Sequence, residues 1–140
     1  MRFEYLVFED STGHIVARRP FLPIILSFKG KKLPVINLLA DTGADETILP
    51  LELAELLSVR LDLDSAYTIF GAGGGEFDVY RSEELLDFCI PPQRGFSRPL
   101  KWKAHVSFTK EQPTPLLGHK ECLEKFRLNF DGPQHCFTIE

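Results

Sequence analysis

The stretch "LLADTGADETIL", residues 38–49, decides how the rest of the chain is read. Apolar residues run into Asp41, a Thr-Gly pair follows, and two more acids, Asp45 and Glu46, come directly after Ala44. Removing water from a carboxylate costs several kcal/mol unless something hydrogen-bonds or neutralises it. An Asp at the mouth of an apolar strand therefore calls for a partner. Taken alone, Asp41-Thr42-Gly43 is also compatible with an Asx-type turn closing a buried strand, since all three residues favour turns.

Working outward, "PFLPIILSF" (20–28) and "LPVINLLA" (33–40) are apolar and β-branched, separated by the polar turn "KGKK". They predict a hairpin whose return strand delivers Asp41. Upstream, residues 3–8 and 14–18 are β-rich runs joined by the turn-forming "EDSTG", which predicts another hairpin. Downstream, "PLELAELL" (50–57) predicts a short amphipathic helix, with Pro50 in its first turn, Glu52 and Glu55 at its positive end, and Leu53, Leu56 and Leu57 on one face. "YTIFGAGGGEFDVYR" (67–81) reads as two strand arms around a glycine-rich tip. "LLDFCI" (85–90) and "LKWKAHVSF" (100–108) predict strands, and "HKECLEKF" a second short helix burying Cys122, Leu123 and Phe126. "RLNF" and "CFTIE" predict closing strands around the "DGP" turn.

The chain has 140 residues, which suits a single domain with a core of its own. A net charge of −4 argues against nucleic acid as a partner. No stretch approaches the length of a membrane span, and the N-terminus has acids within its apolar part and no cleavage site. Three cysteines without framework spacing point to reduced thiols and a cytoplasmic location. His119-x-x-Cys122 and His135-Cys136 fit no common zinc pattern, so no metal or cofactor is expected. A Lys-Ser/Thr pair is missing after "GAGGG", and residue 76 is Glu where GxGxxG needs Gly, which argues against a phosphate cradle.

The order of these segments resembles that of the retroviral-type aspartic proteases, the retropepsin family. Three matches carry the resemblance: the apolar hairpin leading into "LLADTGAD", the glycine-rich "GAGGG" (71–75), and "PTPLLGHKECLEKFRLNF" (113–130). Together they span roughly residues 20–130. The resemblance implies a mainly β, single-domain acid-protease fold with two short helices, acting as a C2 homodimer on a peptide or protein substrate. It divides the chain into an N-terminal hairpin extension (1–19), a protease domain (20–131) and a C-terminal strand (132–140).

Aspartic proteases use two carboxylates that share one proton. This chain has one Asp-Thr-Gly; "DSTG" at 10–13 carries an extra residue and lies in a polar turn. The resemblance therefore assigns the second carboxylate to Asp41 of another copy, facing the first across a two-fold axis. It also implies that Thr42 braces the dyad across the dimer and that Gly43 lets substrate backbone lie close. Ala44, Asp45 and Glu46 would contact substrate, and Gly71, Ala72, Gly73 and Gly74 would fold over it as a flap. One position departs: His119 stands where the family has Arg paired with the second acid of the motif, which predicts a weaker His119–Asp45 contact. The alternative reading is a catalytically inactive dimerisation or peptide-binding module.

Overall fold

The computed structural model describes residues 1–71, 74–95, 98–111 and 114–140. In chain order, the strands are β1 (Arg2–Glu4), β2 (Leu6–Glu9), β3 (Ile15–Arg19), β4 (Phe21–Phe28), β5 (Lys31–Lys32), β6 (Ile36–Ala40) and β7 (Ile48–Pro50). After helix α1 (Leu51–Leu57) come β8 (Leu61–Phe70), β9 (Glu76–Ser82), β10 (Leu86–Ile90), β11 (Leu100–Ala104), β12 (Ser107–Thr109), β13 (Leu116–Leu117), β14 (Leu128–Asp131) and β15 (Cys136–Ile139). The fold is mainly β, as expected.

The main sheet runs β11-β10-β4-β6-β13-β7-β12-β9-β8, with β5 folded back on β4. Its core comes from period-two alternation. Leu22, Ile24, Leu26 and Phe28 of β4 point inward, as do Leu86, Phe88 and Ile90 of β10, while Lys101 and Lys103 flank the inward Trp102 on β11. The Phe88 and Trp102 rings stack with centroids 5.0 Å apart, and Phe126 meets Trp102 edge-on at the same distance. The hairpin into Asp41 forms as expected. Its turn uses positive φ at Lys29 (45°) and Gly30 (85°), a geometry matched to the strand twist.

Three expectations are corrected. Helix α1 buries Ala54 and Leu57, whereas Leu56 is 62% exposed. At about 100° per residue, Leu56 stands well off a face centred on Leu57, while Leu53 and Ala54 flank that face. The second helix is a single 3-10 turn, Leu123–Lys125. Glu121 has φ 61°, so a regular α-helix cannot run through it, although Cys122 and Leu123 are buried as anticipated. "LKWKAHVSF" is two strands rather than one, broken at His105-Val106. There the His105 amide donates to the Glu121 carboxylate (2.7 Å) and the Val106 amide to Ser82 Oγ (3.1 Å), so side chains take amides a ladder would otherwise use.

The terminal segments lie outside the main sheet. β1 pairs with β15, which pairs with β14, and β2–β3 form a separate hairpin over Leu6–Arg19. That hairpin leans on the body through Phe8 and Phe21, 5.7 Å between centroids, and leaves Val7, Ile15 and Val16 exposed. Asp10 sits in its turn, accepting the Thr12 amide (2.8 Å), the Thr12 hydroxyl (2.6 Å) and the His14 amide (3.0 Å). Those bonds, led by the Thr12 hydroxyl, hold the Asp10 carboxyl below the usual range and account for "DSTG" as turn chemistry.

Candidate active site

Asp41 is delivered by β6, a strand held on both sides. β4 pairs with it antiparallel, and the short β13 lies against it in parallel, with Leu116 opposite Leu39 and Leu117 opposite Ala40. β13 also touches β7 (Leu116 opposite Ile48), so it wedges between the strands entering and leaving the turn at 41–47. The Asp41 amide donates to the Leu117 carbonyl (3.1 Å). Its carboxylate Oδ1 accepts the Gly43 amide at 2.9 Å, and the Ala44 amide returns to the Asp41 carbonyl (3.2 Å). The half-buried Asp41 is thus fixed in direction by the turn it begins.

Gly118 ends the wedge. A Cβ there would stand 2.3 Å from the Glu46 carbonyl oxygen and 2.9 Å from that of Ala44, so only glycine fits beneath the turn. Its amide donates to Thr47 Oγ1 (3.1 Å), and the next two amides, of His119 and Lys120, donate to the carbonyls of Ala44 (3.0 Å) and Asp45 (2.8 Å). The turn is therefore stitched to the "PLLG" segment along its length.

A cleft of about 480 Å³ opens above this turn. Asp41, Gly43, Ala44, Asp45 and Glu46 form its floor, and Ile48 and Leu116 one apolar wall. The other wall is the β8–β9 hairpin, through Tyr67, Ile69, Phe70, Gly71 and Phe77. Of the residues expected to meet substrate, Ala44, Asp45, Glu46 and Gly71 lie on the cleft. Gly74 belongs to the hairpin tip, where its amide donates to the Gly71 carbonyl (2.9 Å), and is not among the lining residues. Ala72 and Gly73 lie outside the described residues. Thr42 is exposed beside the cleft.

Sequence reasoning missed Tyr67, Ile69 and Phe77. The first two alternate with Gly71 along one strand face, and Phe77 sits opposite Ile69, so period two could have found them. It also missed Ser107 and Lys120, which no local pattern marks. Glu46 accepts hydrogen bonds from the Tyr67 hydroxyl and from Ser107 Oγ (2.7 Å) on the same oxygen, Oε2, while Lys120 Nζ stands 3.7 Å from Oε1. Burial pushes the Glu46 carboxyl up, but these two donors and the charges of Lys120 and Arg81 outweigh it, leaving the group below its ordinary value. Burial and the Glu46 hydrogen bond both push the Tyr67 phenol up.

The expected His119–Asp45 contact is replaced by another. His119 Nε2 lies 3.1 Å from the Thr42 carbonyl oxygen, a bond that requires the proton on Nε2. Imidazole is too short to act as a guanidinium would, and it braces the turn through the backbone instead. Behind the turn, Glu121 accepts from Arg81 Nη2 (2.8 Å) and lies 3.1 Å from His105 Nδ1. Among the described residues, no group of three or more His, Cys, Asp or Glu side chains is gathered as a metal site, and no helix is long and apolar enough to cross a membrane.

The sequence matches no family model and no curated protein. Solved structures do match. A retropepsin-like aspartic protease from Rickettsia conorii aligns with 100% of this chain and 98% of its own, at TM-score 0.53 and 18% identity. EIAV protease, complexed with the inhibitor HBY-793, aligns over 74% of this chain and 85% of its own, at TM-score 0.46 and 20% identity. The Asp41 turn, the β8–β9 hairpin and the "PLLG" segment follow one another along the chain, and the chain has a retropepsin-like fold.

Proposed function

We propose that this protein is an aspartic endopeptidase whose catalytic dyad is assembled from Asp41 of two copies. The observation that carries the reading is the placement of Asp41: its carboxylate is oriented by the Gly43 amide at the floor of a cleft of about 480 Å³. The fold is that of proteases, and a single Asp-Thr-Gly supplies half of what such chemistry requires.

In this reading, one carboxylate of the pair is ionised and the other carries the shared proton. The ionised group takes a proton from a water molecule as the water oxygen attacks the scissile carbonyl carbon. The protonated group hydrogen-bonds the carbonyl oxygen and delivers its proton there, giving a neutral gem-diol. On collapse, a gem-diol hydroxyl returns its proton to one carboxylate, the other protonates the departing nitrogen, and the C–N bond breaks. The β8–β9 hairpin supplies an apolar wall through Ile69 and Phe77, and water that a bound peptide displaces from it would strengthen the carboxylate hydrogen bonds. Thr42, exposed beside Asp41, would then face the second copy.

The test profiles cleavage of a diverse peptide library by wild type and Asp41→Asn. Cleavage by wild type alone supports the assignment. Equal cleavage by both removes Asp41 from the mechanism, and loss of cleavage with chelator overturns the metal-free mechanism.

A further inference from the structure

We propose that Glu46 and Tyr67 form a clasp that positions the β8–β9 hairpin over the Asp41 turn, so that Glu46 serves the flap rather than the substrate main chain. The inference rests on reading the cleft as a peptide site, and it alters the role that the family resemblance assigns to Glu46.

The need for a clasp comes from the ladder between β8 and β9. Its rungs run Leu61–Ser82 and Asp62–Arg81, stop, and resume at Tyr67–Val79, continuing to Phe70–Glu76. Residues 63–66 are therefore opposed by Tyr80 alone. The excess chain bulges outward, and Asp62 Oδ1 takes the amides of Asp64 (3.1 Å) and Ser65 (3.2 Å) in place of a partner strand. A bulge of this size bends the strand and interrupts its stiffness, leaving the outer arm tied to the body mainly through β9. β8 is also the last strand of the sheet, so among the described residues no further strand pairs with the arm.

Tyr67 is the first residue past the interruption, and there its hydroxyl donates to Glu46 Oε2. Ser107, on β12 in the body of the sheet, donates to the same oxygen at 2.7 Å and also lies 3.4 Å from the Tyr67 hydroxyl. Lys120 faces the other oxygen. A hydrogen bond to an ionised carboxylate is roughly twice as strong as a neutral one, and this one joins the outer arm to the floor at the point where the ladder restarts. With two donors on Oε2, a peptide amide would reach that oxygen only by displacing Tyr67 or Ser107. Asp45, exposed on the same floor, is a carboxylate open to substrate. Tyr67 and Glu46 are in this sense positioning residues.

The test uses Asp41→Asn chains, in which no turnover can disturb the measurement. Amide hydrogen exchange is followed in β8 and β9 and compared with β4 and β6. Tyr67→Phe is expected to speed exchange at residues 68–70 and 76–78 on the order of tenfold, the equivalent of one hydrogen bond, and to leave β4 and β6 unchanged. Glu46→Gln, which keeps an acceptor, should give a smaller rise in the same residues. In chains with Asp41 intact, both should raise KM more than they lower kcat, and their combination should add little to either alone. Unchanged exchange in Tyr67→Phe overturns the clasp. A change of substrate preference in Glu46→Gln that Tyr67→Phe does not share also overturns it, and returns Glu46 to the substrate. The exchange measurement decides the clasp even if the Asp41 chemistry fails its own test.

Discussion

The backbone of Gly118 passes so close beneath Glu46 that a side-chain carbon on it would fall 2.3 Å from the Glu46 carbonyl oxygen and 2.4 Å from the carbonyl carbon. The obstacle is backbone, which cannot swing aside as a side chain would. Gly118→Ala is therefore expected to destabilise the protein by about 3 kcal/mol, at the upper end of overpacking costs. Urea denaturation measures it. Gly132→Ala, where a Cβ meets nothing within 4 Å, is the control.

If the dyad spans two copies, activity depends on assembly. Wild-type chains mixed with excess Asp41→Asn, under conditions that allow exchange, should lose activity in proportion to mutant incorporation, since a mixed pair holds one carboxylate. Specific activity should also fall on dilution. Activity that tracks wild-type chains alone, with monomers in sedimentation, would place the second catalytic group within the chain. The Asp41→Asn chain itself should melt within a few degrees of wild type, because the Gly43 amide can still donate to the amide oxygen.

Acid should loosen the site before it unfolds the core. Burial opposes ionisation of both Glu46 and Glu121. It is outweighed at Glu46 by Tyr67 and Ser107, and at Glu121 by the hydrogen bonds of His105 and the charges of His105 and Arg81. Both folded-state values lie below the ordinary 4.5. The stabilisation they contribute is complete above that value and is lost as the pH falls through the lower folded values. Urea midpoints against pH should show this acid limb, and Glu46→Gln should make it shallower. A limb unchanged in that variant would exclude Glu46 as a contributor.

The three thiols should differ in reactivity. Burial raises the Cys122 thiol above its usual value against the hydrogen bonds of Thr47 and Trp102, and Cys122 and Cys136 are both buried, whereas Cys89 is half-buried beside an open groove. Iodoacetamide at neutral pH should label Cys89 first and the other two only on unfolding. Mass spectrometry of the labelled peptides checks the order.

The parts of this fold legible in the sequence are those carried by local chemistry. The polar turn at Lys29-Gly30 announced a hairpin, and the apolar, β-branched runs on either side announced the strands feeding Asp41. The parts that were not legible depend on residues far apart in the chain. Nothing in "LKWKAHVSF" marks the break at His105, because the break is made by Ser82 and Glu121 from elsewhere. Nothing in "HKECLEKF" marks the left-handed Glu121 that stops its helix. At the site, Asp41 was visible through its turn and its approach strand, while the Tyr67–Glu46–Ser107 contact joins three segments that only the sheet brings together.

The wedge of β13 between β6 and β7 sets an order on synthesis. The acceptor for the Asp41 amide is Leu117, and Leu39 finds its parallel neighbour only at Leu116. A nascent chain can form the hairpin into Asp41 early, since its contacts are near in sequence, but the floor of the cleft must wait some seventy-five residues for its third strand. Such long-range parallel pairing closes a large loop late and slowly. A ribosome-bound chain stopped before residue 116 would hold Asp41 on an unbraced turn. On the proposed reading, hydrolysis is thereby withheld until the chain has been made through Leu117, and translation itself acts as the safety catch.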